Sequence, residues 1–234
     1  MRRVVVALLS LVAIGIGAAG AADLPVKALP APVVVPPYNW TGIYIGGTAG
    51  YAWGHSRHCD TDAFCTNGFS VDGFVGGGTL GYNWQWNNWV IGFETDFSGS
   101  AAKGDTQSVP GVFGCGPGAT CHTNLDWYGT VRGRVGWAFD RVLPYVTGGY
   151  AYGRLYADLG TPPLTSASGT QSGWTVGAGL EYALPWDHWS VKVEYLYVDL
   201  DDLFYDTAHI CGFLSCTAVD NHFSIARAGI NYRF

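Results

Sequence analysis

The last ten residues, Ile225 to Phe234 (IARAGINYRF), constrain the fold more than any other stretch. Counted back from Phe234, every second residue is apolar: Phe234, Tyr232, Ile230, Ala228 and Ala226. Between them lie Arg233, Asn231, Gly229 and Arg227. Strict period-two alternation marks a strand with one face in an apolar medium and the other in a polar one.

The pattern recurs upstream. Ile43, Ile45, Ala49, Tyr51 and Trp53 oppose Gly42, Tyr44, Gly46, Thr48 and Gly50. Near Val71 to Trp84, Phe74, Leu80, Tyr82 and Trp84 form an outward face around Gly76 to Gly78. Trp89, Ile91, Phe93 and Phe97 alternate with Gly92, Glu94, Asp96 and Ser98; Leu125, Trp127, Val131, Val135 and Trp137 alternate with Asp126, Tyr128, Thr130, Arg132 and Arg134. A stretch near Leu143 to Ala157 has mixed facing. Trp174, Val176, Ala178, Leu180 and Tyr182 then oppose Glu181, and Trp189, Val191, Val193, Tyr195 and Tyr197 oppose Lys192 and Glu194. With the terminal strand this makes eight, an even number, as an antiparallel up-and-down barrel of the bacterial outer membrane requires.

Charge is scarce: 13% of residues, against 15% aromatic. A water-soluble domain has about a quarter charged. Residues 1–22 read as a cleaved signal peptide, with Arg2 and Arg3 before an apolar run and small residues at its end. Removing it leaves 10 basic against 18 acidic residues, a poor balance for binding nucleic acid. Residues 23–39 are a Pro-rich periplasmic linker and 40–234 the barrel. No later stretch has the ~20 continuous apolar residues of a spanning helix.

Connection lengths separate the two ends. Gln85 to Asn88, Asp140 to Val142 and Pro185 to His188 are short; about 54–70, 99–124, 158–172 and 199–221 are long. Short periplasmic turns and long extracellular loops are the outer-membrane asymmetry. Six cysteines fall in the long segments as Cys59 and Cys65, Cys115 and Cys121, Cys211 and Cys216. Local disulfides stiffening each loop are the favoured reading; six cysteines permit 15 pairings, and the sequence alone selects none of them. Trp40, Trp84, Trp86, Trp89, Trp137, Trp186 and Trp189 gather at the short-turn end, and Trp53, Trp127 and Trp174 at the other. Two such girdles belong to a membrane barrel.

YNWTGIYIGGTAGYAWG (Tyr38 to Gly54), PYVTGGYAYG (Pro144 to Gly153) and the closing NYRF resemble the alphaproteobacterial small outer-membrane proteins with an OmpA-like transmembrane barrel. The resemblance implies an eight-stranded barrel, often described as porin-like, with some members credited with hemin binding. It also implies that Tyr232 and Phe234 form a terminus read by the barrel-assembly machinery. No peptidoglycan-binding domain follows the barrel in this sequence, unlike the larger OmpA. The hemin-binding label brings no motif that maps onto this chain.

Eight charges share the inward parity: Glu94, Asp96, Arg132, Arg134, Glu181, Lys192, Glu194 and Arg227. Four acids and four bases balance. An eight-stranded barrel is only wide enough for side chains, so an ionic plug is preferred over an ion path. Asp199, Asp201, Asp202 and Asp206 at the loop rim suit a solvated loop better than a divalent-ion bridge to lipopolysaccharide. No element orients a histidine as a catalytic base, and Gly76 to Gly78 lacks a phosphate-loop lysine. No enzyme, cofactor or metal is expected. The favoured function is a non-enzymatic surface barrel whose loops meet external or host partners. The alternatives are a narrow channel, hemin capture by His55 and His58, and a soluble periplasmic lipocalin-like barrel.

Overall fold

A computed structural model describes residues 37–60, 69–107, 120–159, 165–186, 188–201 and 216–234. Every regular element among them is a strand: β1 (Gly42–Asp60), β2 (Phe69–Trp86), β3 (Trp89–Gln107), β4 (Thr120–Trp137), β5 (Val142–Leu159), β6 (Thr165–Ala183), β7 (Trp189–Leu200) and β8 (Cys216–Arg233). Each pairs antiparallel with its sequence neighbour, and β8 pairs with β1 to close the barrel. Closure satisfies every strand edge, the condition for a sheet in hydrocarbon, where no water can pair a free amide. At the seam Tyr44 faces Arg233, Ala49 faces Ala228 and Trp53 faces Ser224.

The turn end is made of tight connections. Asn87 (φ 54°), Asp140 (φ 52°) and His188 (φ 75°) each take a left-handed backbone, a region that Asn, Asp and His enter more readily than other side-chain-bearing residues. Asn87 and Asn88 join Trp86 to its cross-strand partner Trp89. Phe139 and Val142 exchange backbone hydrogen bonds of 2.8 and 3.0 Å around Asp140. His188 also holds β8: its carbonyl accepts from Arg233 N at 2.7 Å, and its Nδ1 lies 2.8 Å from the Arg233 carbonyl.

Outward alternation follows the sequence pattern on β1, β2, β3, β6, β7 and β8, leaving a belt of exposed Ile, Leu, Val, Phe, Tyr and Trp. Two aromatic rings bound it. On β3 Trp89 and Phe97, on β6 Tyr182 and Trp174, and on β7 Trp189 and Tyr197 are each eight residues apart, about 21 Å at ~3.4 Å per residue and a ~40° tilt. That matches the apolar band of an outer-membrane barrel, roughly 25 Å tall. The turn-end ring pairs Trp89 with Trp137 at 4.9 Å and Trp189 with Tyr232 at 5.2 Å. The upper ring pairs Tyr51 with Phe74 at 5.3 Å, Phe97 with Trp127 at 5.3 Å and Trp174 with Tyr197 at 5.6 Å.

Four features differ from the sequence reading. Much of the stretch assigned to long loops is strand: β3 runs to Gln107 and β6 starts at Thr165. Seven of the eight strands have 18 or 19 residues, whereas ~9–11 suffice to cross a bilayer. The barrel wall therefore continues well beyond the upper ring.

Strand β5 has a definite facing, with Leu143, Tyr145, Thr147, Ala151 and Leu155 inward and Val146 and Tyr150 outward. On β4 the register slips between Leu125 and Trp127, so Leu125 is buried in the lumen and Asp126 is exposed. A β-bulge adds one residue and so reverses the alternation beyond it. Trp40, read as a girdle residue, is fully buried.

Candidate functional site: a lumen filled in three layers

Inside the membrane band the outer wall is already apolar, so the interior is free to be polar. Above the band the outer wall meets water, and folding there needs apolar residues on the inside. Strand β7 shows the change along one face: Ser190, Lys192 and Glu194 point inward, followed by Leu196, Val198 and Leu200. Strand β8 repeats it with Asn231 and Arg227 below Ile225 and Phe223. The β4 bulge lies at this boundary and keeps Asp126 out of the apolar layer.

The loop-end layer gathers Ala52, Phe69, Val71, Val75, Leu125, Leu155, Leu196, Val198, Leu200, Phe223 and Ile225 in one buried cluster with Tyr128 beneath. Burying each Leu, Ile, Val or Phe side chain contributes about 1.5–3 kcal/mol, so this layer fixes the projecting wall.

The middle layer is ionic, and all eight inward charges lie buried in it. Glu94 is its hub. Arg132 Nη2 approaches Glu94 Oε1 at 2.5 Å, and Lys192 Nζ and the Tyr44 hydroxyl donate to Oε2 at 2.7 Å each. Arg132 also reaches Asp96 at 3.0 Å and Glu194 at 3.0 Å, and its Nε donates to Thr130 Oγ1 at 2.8 Å. Thr130 in turn donates to Asp96 Oδ2 at 2.6 Å. Arg227 links Glu194 at 2.6 Å with Asp96 at 3.0 Å. Arg134 bonds Glu181 at 2.6 Å and lies 4.1 Å from the Tyr145 ring centroid. Such charges persist away from water only when paired and hydrogen-bonded on several sides.

The third layer corks the turn end. Trp40 packs with Val90, Ala138, Leu143, Tyr145 and Ala183, and Tyr38 lies against them. Trp40 Nε1 donates to the Asp140 carbonyl at 2.9 Å, and its backbone N donates to Gln85 Oε1 at 2.7 Å. The Arg233 guanidinium stands 4.7 Å from the Trp40 ring centroid and donates to the Tyr38 hydroxyl at 3.1 Å.

Parity in the sequence singled out the eight charges but passed over Tyr44, Tyr145, Thr130, Ser190, Asn231 and Arg233, which bind them. Tyr44 and Arg233 carry the inward parity of their strands, which is the signal that could have found them. Tyr232 is half-buried beside Trp189. Phe234 is exposed, its ring 5.1 Å from Tyr232 and its amide donating to the Ile43 carbonyl at 3.0 Å.

His55 is exposed on the outer wall, 6.2 Å from the His222 ring, with which it is paired in register. Asp199 pairs with His222 from β7. The side chain of His58 lies outside the described residues. So do Cys65, Cys115, Cys211, Asp202, Asp206 and the side chains of Cys59, Cys121 and Cys216. Among the described residues no group of His, Cys, Asp and Glu is arranged to hold a metal.

An apolar outer belt between two aromatic rings, on a closed eight-stranded wall with a filled interior, defines an integral outer-membrane β-barrel. The chain belongs to the outer membrane protein beta-barrel domain family, which it matches over residues 9–234. It is 38% identical over 259 residues to the 31 kDa outer-membrane immunogenic protein of Brucella melitensis biotype 1, covering all of both chains. It is 35% identical to the 22 kDa outer membrane protein of Rhizobium leguminosarum bv. viciae, over 74% of this chain and 70% of that one. Among solved structures, the outer membrane protein OprG from Pseudomonas aeruginosa shares the fold with a TM-score of 0.52 at 14% identity, covering 83% of this chain and 97% of that one. These relatives place the protein in the bacterial outer membrane, among its lipids, and set aside the soluble periplasmic reading.

Proposed function

We propose that the protein is a closed, non-enzymatic barrel that displays its loop segments at the cell surface and does not serve as a general pore. The observation that carries this reading is the lumen, occupied in turn by the Trp40 cork, the Glu94-centred ion pairs and the Leu196–Phe223 apolar layer. The name of the Brucella relative as an immunogenic protein supports surface exposure of these segments. On this reading residues 1–22 are a cleaved signal peptide and 23–39 a periplasmic linker. The six cysteines pair locally within each loop, the barrel-assembly machinery reads Tyr232 and Phe234, and the loops meet an external or host partner.

Biotinylation of intact cells with a membrane-impermeant reagent tests the display. Label should enter at Lys103 and at cysteines introduced between 108 and 119. Label that enters only after the outer membrane is broken would refute it. Intact mass before and after reduction tests the disulfides, with three bonds expected.

A second reading, hemin capture, has one favouring observation: the exposed His55 stacked beside His222. Titration with hemin separates the two readings. A Soret shift lost in His55→Ala supports capture, and an unshifted band supports display alone.

A further inference from the structure

We propose that the turn-end side of the ionic layer holds one small inorganic anion of the halide class, between Arg134, Arg233 and Asn83. Charge is the first observation. Arg233 is buried with the eight inward charges, so among the described residues the lumen has five cations, Arg132, Arg134, Lys192, Arg227 and Arg233, against Glu94, Asp96, Glu181 and Glu194. The excess lies at the turn end, where Glu181 is shared by two guanidiniums, 2.6 Å from Arg134 and 3.7 Å from Arg233. The next carboxylate, Glu94, is 3.6 Å from Arg134 and is already held closer by Arg132 and Lys192. An unbalanced charge shielded from water is costly and favours uptake of a counter-ion.

Orphaned donors are the second observation. Arg134 Nε, Arg233 Nε, Arg233 Nη2 and Asn83 Nδ2 are buried with no hydrogen-bond partner; the unpartnered acceptors in the same layer are Asn83 Oδ1 and Asn231 Oδ1. All four residues are more than nine-tenths buried. The orphaned set higher in the lumen has a different character. Thr79, Ser98 and Tyr128 hydroxyls stand there with Asp96 Oδ1 and Arg227 Nη1. Hydroxyls both donate and accept, so that mixed set has the chemistry of a water site rather than an anion site. At the turn end, cationic donors dominate.

Glycines bring the three side chains together. Asn83 Oδ1 and, at 2.9 Å, Arg134 Cγ crowd the point where a β-carbon of Gly92 would stand. Gly42, with φ 141°, pairs with Asn83 in register, and its own β-carbon position is met by Arg233 Cγ at 3.3 Å. Trp40 covers this space from the turn side, against the Arg233 guanidinium.

Crystals grown in bromide, measured at the bromine absorption edge, test the site directly. One anomalous peak within hydrogen-bond distance of Arg233 and Arg134 nitrogens is expected, and water density without an anomalous peak would overturn the proposal. In solution, the refolded barrel should melt about 3 °C higher in chloride than in gluconate at equal ionic strength. Arg233→Met should reduce that difference below about 1 °C while the barrel still migrates as a folded band. Equal melting in both salts, or a full-sized chloride effect in Arg233→Met, would count against the site. If Arg233→Met does not fold, Asn83→Leu removes a donor without changing charge. It should raise the chloride concentration for half-maximal stabilisation at least about tenfold, and an unchanged midpoint would overturn the proposal.

Discussion

Glu94 and Arg132 give the sharpest test of the ionic layer. Glu94 lies within 2.5–2.7 Å of Arg132, Lys192 and the Tyr44 hydroxyl, with Arg134 at 3.6 Å and Arg227 at 3.7 Å. Glu94→Gln removes the anion and leaves those cations buried. Breaking one side of a buried pair costs about 3–5 kcal/mol, a large share of the 5–15 kcal/mol that typically separates folded from unfolded chains. Arg132→Met leaves Glu94, Asp96 and Glu194 short of one shared partner, with a cost in the same range of about 3–5 kcal/mol. The double variant removes both charges together, so its cost should fall short of the sum of the singles by about 1–3 kcal/mol. Urea unfolding of the barrel refolded into detergent or lipid, followed by tryptophan fluorescence, measures all four corners of the cycle. Additive singles, or a Glu94→Gln cost under about 1 kcal/mol, would show that the ion pairs are not coupled as their geometry requires.

Other outcomes follow from the same layers. Leu125→Asp should destabilise the barrel by about 3 kcal/mol or more, while Asp126→Leu should change it by less than about 0.5 kcal/mol; urea midpoints showing the reverse order would contradict the bulge. Trp40→Ala should cost about 3–5 kcal/mol and let a small thiol reagent reach a cysteine placed at Ser190, which stays unlabelled when Trp40 is present. Deleting Phe234 should sharply lower the amount of heat-modifiable barrel in cell membranes yet leave refolding in detergent nearly unchanged; equal loss in both would make its role structural rather than one of assembly.

The membrane-spanning half was legible because hydrocarbon enforces a single rule, apolar outward, for about eight residues on each strand. Trp89 to Phe97 and Trp189 to Tyr197 obey it, and charges such as Glu94 and Lys192 stand out against it. The projecting half obeys the opposite rule. Phe69 and Leu200 point inward there, so a search for outward apolar residues reads their segments as loops. Leu125 was misplaced for a local reason, since one inserted residue reverses parity and no composition marks it. Trp40 has the chemistry of a girdle residue, and only its contacts with Val90, Leu143 and Ala183 make it a cork. The His55–His222 pairing across the seam required the β1–β8 register, which joins residues far apart in the chain.

Conductance across a planar bilayer by the refolded full-length barrel tests the central claim most directly. A lumen closed by Trp40, the Glu94 network and the Leu196–Phe223 layer predicts no steady current above the bare membrane and no swelling of sugar-loaded liposomes. A large, steady pore in the unmodified protein would contradict it.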